Sequence, residues 1–358
     1  MSNNQSGESG TLSAVALGPF AVTALVYVAT VRADLLGHPW PGTAEAGLPS
    51  LLLAHLSAYI VTVVASYVTL IPYSRLNRSI YAPAGSRSIR EWLALASVVV
   101  SQGLAIVIQH STYAEMLRTF ALFRTPNWAV GVTLAIPVWY IARMKTVSVL
   151  RMTQAFFYLQ ILVLPILFLP LGEWSVSNLV GLLGRPSLAV LPALPPVLHL
   201  YFGAPALLLL DDKASVTVAR RLIPAALALV ALLLVLITVF VPGVLGRELL
   251  AIEAYPGMKY FQTTRIPNVE RIDLVILFAF ANVAISASAV LGHGIALALG
   301  AVGLGKEAGA VAVAILVAAS TFLPVIPGGS QRYFVASAIA LVVSNVFLLT
   351  IPKARTHG

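Results

Sequence analysis

HLYFGAPALLLL, residues 199–210, is a strongly apolar run with Gly203-Ala204-Pro205 set in its middle. Proline removes a backbone donor and clashes with the preceding helical turn, while glycine tolerates dihedrals that other residues avoid. A helix over this run is therefore expected to break near Gly203. The same pattern occurs near the N-terminus, where Leu17-Gly18-Pro19-Phe20 interrupts another apolar run. Unwound backbone at membrane depth persists only where protein or a water-filled cavity satisfies it. Two such breaks point to a shared binding site between half-helices. Simple kinks are the plainer alternative, since Gly and Pro are frequent in membrane helices.

The composition around these breaks belongs to the bilayer. The chain has 358 residues, 59% hydrophobic and only 10% charged, with a mean hydropathy of +0.92. A soluble domain carries roughly 25% charged residues, so this chain has too little charge to cover a water-facing surface. Long apolar stretches without period-two alternation exclude a β-barrel and predict an all-α polytopic membrane protein. About ten spans are expected, near 12–32, 47–71, 90–112, 127–142, 152–171, 191–210, 222–242, 273–300, 308–326 and 333–351. The breaks then fall in the first and sixth spans, as a five-plus-five inverted repeat requires. The repeats would cover about 12–171 and 191–351 of a single transmembrane domain (12–351), flanked by a disordered tail at 1–11 and a C-terminal tail at 352–358. The segment between Glu173 and Val190 is expected to hold a short interfacial helix. Arg and Lys favour alternate loops, among them Arg75, Arg78, Arg143, Lys145, Arg220 and Arg221, which places both termini in the cytoplasm. The formal charge of +9 is thus read as loop charge facing membrane lipid, with no nucleic acid implied.

Polar residues inside the spans are costly and mark candidate contacts. Ser101 shares a face of the third span with Ser97; Gln102 and Gln109 lie on a neighbouring one. Asn282, Ser286 and His293 form one stripe of the eighth span, with Ser288 off it. Packing glue between helices is one reading of these residues; partners for a ligand's polar groups is the other. His55, His199 and Tyr201 read as structurally hydrogen-bonded groups rather than proton carriers. No Asp or Glu lies well inside a predicted span, which weakens a carboxylate proton relay. Asp211-Asp212 reads as a solvated helix end. No cysteine is present, and no nucleophile, dinucleotide, phosphate-loop or metalloprotease motif appears. Neither catalysis, cofactor nor metal is expected. The candidate ligand-binding set is Leu17, Gly18, Pro19, Phe20, Ser101, Phe202, Gly203, Ala204, Pro205, Asn282 and Ser286.

Three further stretches resemble the spore germination permeases, the B subunits of nutrient germinant receptors. Leu117-Arg118-Thr119-Phe120 through Arg124-Thr125-Pro126 is similar to the Thr-Pro passage into that family's fourth span. Tyr255-Pro256, Ile266 and Val269-Glu270-Arg271-Ile272-Asp273 are similar to its passage into the eighth. The segment Lys145 to Arg151 departs from the pattern: Arg151 matches, but the family's glycine and acid are missing. The resemblance implies an amino acid–polyamine–organocation transporter fold of the LeuT type, and a small germinant such as an amino acid, sensed rather than pumped. It also implies A-type and C-type receptor subunits as partners in the spore inner membrane. A secondary transporter of amino acids or related amines is the alternative function. A structural subunit without ligand is a third, and an intramembrane enzyme the last.

Overall fold

The computed structural model describes residues 18–31, 43–76, 80–81, 88–184, 203–210, 213–253, 255–264 and 272–322, with single positions between 191 and 201 and between 336 and 350. Among these residues the regular structure is helical throughout: α1 (Pro19–Thr30), α2 (Thr43–Leu76), α3 (Ile89–Phe120), α4 (Asn127–Ala142), α5 (Thr146–Val163), α6 (Val176–Val180), α7 (Lys213–Ile252), α8 (Pro256–Gln262), α9 (Ile272–Ala301) and α10 (Lys306–Ser320). Two 3-10 segments, Leu164–Glu173 and Ala204–Leu209, complete the set. Five helical stretches among the described residues are long and apolar enough to cross a membrane, and α1 and α4 are shorter apolar helices. The chain is an integral membrane protein.

Local chemistry sets the helix limits. A reciprocal capping box starts α3: Ser88 Oγ accepts from the Glu91 backbone N–H (3.3 Å), and the Glu91 carboxylate accepts from the Ser88 N–H (3.0 Å). Pro165 and Pro170 cannot donate to an α ladder, and there α5 tightens into the 3-10 segment Leu164–Glu173. The short helix expected between Glu173 and Val190 is α6. It sits against a bend in α7 at Gly246, whose φ of 71° is left-handed. Asn178 Nδ2 donates to the carbonyls of Gly243 (2.9 Å) and Val244 (3.2 Å), and the Ser175 N–H also donates to Gly243 (2.9 Å). Carbonyls beside the bend at Gly246 are thus satisfied by α6 and the turn before it. The bend of α2 at Gly47 (φ 75°) is held by the same outer segment, through Leu48 N–H to the Leu182 carbonyl (2.8 Å).

Burial follows membrane logic. On α2, Leu53, Leu56, Ile60 and Val64 are exposed at helical spacing, as are Leu162 on α5 and Ile315 on α10. In lipid such a carbon surface is a solvated one, so polar residues and small residues turn inward. The centre is α1, buried on all sides from Ala24 to Thr30. It packs on α5, α7, α9 and the Ala204–Leu209 segment. α9 is the second hub, packed on α3, α4, α5 and α10 as well. Its stripe, read from sequence, turns toward α5 and the end of α4. Ser286 meets Gln160, and His293 meets Thr146 (3.0 Å) and the Ala142 carbonyl (2.9 Å).

Candidate functional site

Gln160 sits on α5 with its side chain buried in the interhelical core. Its Nε2 donates to Ser286 Oγ (2.9 Å), and Ser286 Oγ donates its own proton to the Val283 carbonyl (3.1 Å). A hydroxyl has one proton, so Ser286 can only accept from Gln160, and that fixes which way the amide is turned. Gln160 Oε1 is left buried and without a partner. Buried polar atoms are rarely left so, and each such atom requires an explanation.

Beside this amide lies a small cavity of about 20 Å³, lined by Tyr27 of α1 and Val31 just after it, Gln160, Val163, Leu164 and Leu167 of α5 and its continuation, Leu233 and Ile237 of α7, and Ala279, Phe280 and Val283 of α9. A second cavity of about 70 Å³ adjoins it, sharing Tyr27, Leu164, Leu167, Leu233 and Ile237 and running on to Phe168, Leu229, Leu232, Leu236 and Phe240. A third, smaller hollow of about 10 Å³ continues along Leu167 and Ile237 to Gly257, Tyr260 and Phe261 of α8. Together they form a carbon-lined seam between α5 and α7, with Gln160 at its inner end. Tyr27 stands edge-on to Phe157 (ring centroids 5.0 Å apart), which fixes its position at the seam. At the far end the Tyr260 hydroxyl donates to the Leu167 carbonyl (2.6 Å) and ties α8 to the seam's wall.

The broken sixth segment is held from the other side. Thr238 Oγ1 donates to the Leu234 carbonyl (2.7 Å), so at His55 Nε2 (2.9 Å) it can only accept. His55 Nε2 therefore carries the proton, and Nδ1 accepts from the Tyr201 hydroxyl (3.3 Å). A one-way relay thus runs from Tyr201 through His55 to Thr238 and Leu234. It secures the residue two positions before Gly203, where the 3-10 segment begins.

Both sequence breaks lie where α-helix ends. Gly18 is extended (φ −67°, ψ 166°) and α1 starts at Pro19; beyond Gly203 the chain is 3-10. They do not meet. Gly18 is exposed with open space around it. Gly203 lies against Thr30: a Cβ there would overlap the Thr30 hydroxyl and stand 3.0 Å from its Cα. With a rise of ~1.5 Å per residue, the ends of α1 are about 18 Å apart. A single hollow flanked by both breaks, as expected from sequence, is not the arrangement in this fold.

The other candidates scatter. Pro19 and Phe20 are exposed, Phe20 stacking on Tyr158 (4.9 Å). Ala204 and Pro205 are buried in the 3-10 segment, and Ser101 is buried in α3. Asn282 keeps a buried Nδ2 without partner on α9. Leu17, Phe202, His199, Asp211 and Asp212 lie outside the described residues. Of the expected set, Ser286 is the residue joined to the cavity, through Gln160. Gln160 itself escaped the sequence reading; an amide in mid-span was the available signal. His110 is also fully buried on α3 with both ring nitrogens unpartnered. Among the described residues no group of acidic or histidine side chains is arranged to hold a metal.

Against solved structures, the chain is similar to Mhp1, a nucleobase-cation-symport-1 family transporter in a closed conformation with bromovinylhydantoin bound. The TM-score is 0.60 at 12% identity, over 93% of this chain and 77% of that one. At that identity the likeness shows the fold, which is the LeuT-type transporter fold that the family resemblance implied. No curated protein sequence matches the chain. A sequence family does: residues 51–326 match the spore permease family, described as spore germination protein. That match takes in α3, α4, α5, α7, α9 and α10, and with them Gln160, Ser286 and the α5–α7 seam, so the chain belongs to the spore germination protein family.

Proposed function

We propose that the chain is a transporter-like receptor subunit that binds a small germinant in the seam between α1, α5, α7 and α9 and signals germination. The observation that carries this reading is Gln160: a buried amide whose Oε1 has no partner, on a side chain that lines a carbon-walled cavity in the core of a transporter fold. An amino acid is the germinant class implied by the sequence resemblance. A-type and C-type receptor subunits are the proposed partners, and the spore inner membrane the proposed site, with both termini in the cytoplasm.

A ligand shifts a conformational equilibrium only through differential affinity for its states. The seam is placed to create that difference, because one of its walls is α1, which begins at a break and packs on the 3-10 segment after Gly203. Gly18, immediately before α1, is extended, and the chain after Gly203 is 3-10. These two positions are proposed as the hinges about which α1 and the sixth segment adjust when the seam fills. In this role Gly18, Pro19, Gly203 and Pro205 act on binding without touching the ligand.

A second reading, secondary transport, is supported by the fold neighbour, which is a symporter. Reconstitution separates the two. A receptor subunit is expected to bind its germinant in proteoliposomes without accumulating it under a proton or sodium gradient. Gradient-driven accumulation would favour the transporter. In spores, filling the seam with Ala279→Trp is expected to abolish the germination response while leaving the chain in the membrane; an unchanged response would sink the receptor reading.

A further inference from the structure

We infer that the turn between α4 and α5 binds the headgroup of an anionic phospholipid, with Arg143, Lys145 and Arg151 taking the phosphate. The inference is independent of the seam. The turn is fastened from behind at alternate residues. His293 Nδ1 donates to the Ala142 carbonyl (2.9 Å), so its Nε2 accepts from the Thr146 hydroxyl (3.0 Å), and Lys306 Nζ donates to the Met144 carbonyl. His293 is fully buried on α9, which makes this anchorage part of the core. The residues between the anchors, Arg143 and Lys145, are left exposed. Arg143 lies over the rings of Trp139 (4.5 Å to the centroid) and Tyr140 (5.3 Å). A guanidinium held over aromatic rings keeps N–H groups free for a two-point contact with phosphate oxygens.

These cations stand at the edge of the hydrocarbon without protein partners. α4 covers Asn127–Ala142, a length of about 24 Å. Its last turn, with Trp139 and Tyr140, therefore falls at the interface, where aromatic residues gather. Among the described residues, none of Arg143, Lys145 and Arg151 has an acidic partner; the ion pair present is Lys259–Glu253, beside α8. Glu307, in the first turn of α10, is set beside Lys306 instead. Arg151 stands about 9 Å along α5 from Lys145, on an exposed stripe with Tyr158 and Leu162. A helical side chain slants toward its helix's N-terminus, so Arg151 leans back to the turn. A charge on a lipid-facing surface has to return to the headgroups. That position favours a lipid over an acidic protein, which approaches from water and does not reach the stripe. Val132 and Ile136 on α4, with Tyr158 and Leu162 on α5, offer exposed carbon to the acyl chains. Net charge selects the lipid: three unpaired cations favour an anionic headgroup, whereas a zwitterionic one brings a competing cation.

The test is thermal unfolding of the purified full chain in neutral detergent, with dioleoylphosphatidylglycerol, dioleoylphosphatidylcholine or inorganic phosphate added. The anionic lipid is expected to raise the unfolding midpoint at about tenfold lower concentration than the zwitterionic one, and inorganic phosphate to leave it unchanged. Replacing all three cations, Arg143→Gln with Lys145→Gln and Arg151→Gln, should bring the two lipids level. A charge-matched set on other loops, Arg124→Gln with Arg247→Gln and Lys259→Gln, should keep the preference. Arg143→Gln alone should raise the anionic lipid needed about fivefold, the share of one basic residue near an anionic surface, and serves if the triple variant does not fold. Equal action of the two lipids on the unaltered chain would overturn the inference. So would a preference that survives the triple variant, or one lost equally in the charge-matched set. Protection by inorganic phosphate as strong as by the anionic lipid would overturn the lipid as occupant and assign the cluster to a soluble anion.

Discussion

Thr238 commits its proton to the Leu234 carbonyl, and that one commitment orders the contacts of His55 and Tyr201 behind it. Removing the terminal donor with Tyr201→Phe leaves His55 Nδ1 buried and unpaired, at a cost of ~1–3 kcal/mol. His55→Gln, whose amide can donate to Thr238 and accept from Tyr201, should retain most of that stability. Chemical denaturation in detergent would rank the two; equal losses would show that the relay's direction is immaterial. Much of this scale was visible in advance. Histidine and tyrosine in apolar spans imply hydrogen-bonded partners, and Asn282, Ser286 and His293 fall on one stripe by spacing alone. Which partner each takes was not visible, because Thr238 lies on a different helix and Gln160 meets Ser286 only after α5 and α9 have packed.

Among elements, the contact of Gly203 with Thr30 is the tightest constraint on the broken segment. Gly203→Ala should destabilise the fold by ~1–3 kcal/mol through overpacking. Thr30→Ala should recover part of the loss in the double variant by removing the hydroxyl that the new methyl meets. Additive losses would show that the two residues are not in contact. Close approach also joins α9 and α10, where a Cβ on Gly309 would stand 2.8 Å from Ala296 Cα; Gly309→Val should separate that pair and lower the unfolding temperature. Outside the spans, Tyr255 and Tyr260 have their phenol pKa raised, chiefly by burial and, for Tyr255, also by the neighbouring Glu115. A phenol with a folded-state pKa above its unfolded value of about 10 contributes stability that is present below that pH and lost as pH rises above it. Unfolding midpoints should therefore fall in the alkaline range, less steeply in Tyr255→Phe. Helix limits were most legible where punctuation is strong: α4 runs from Asn127 to Ala142 as expected, between Pro126 and Arg143. α3 runs on to Phe120 because its last turns are helical without being apolar, and α7 begins at Lys213, ahead of the apolar run that marks it.

The whole molecule is a LeuT-type bundle in which α1 is enclosed by α5, α7, α9 and the 3-10 segment, while lipid-facing carbon covers the outside. Its class followed from charge scarcity and span length, and its break points from Gly-Pro punctuation. The position of its hollow did not follow. Gly18 and Gly203 mark where helices end, but helix length and register decide which residues stand level across the bundle, and these bring Gly203 to Thr30. Tyr27, Gln160 and Val283 line the cavity because α1, α5 and α9 converge there, a property of packing that no local pattern encodes. The central claim is that a small molecule is bound in that seam, and the absence of cysteine in the chain permits a direct measurement. Leu233→Cys places a thiol in the seam, and Leu162→Cys places one on the exposed outer face. With L-alanine present, alkylation by a small membrane-permeant maleimide should slow about tenfold at position 233, as a group shielded by a bound ligand does, and be unchanged at 162. Equal rates at 233 with and without L-alanine, or equal slowing at both positions, would contradict the account.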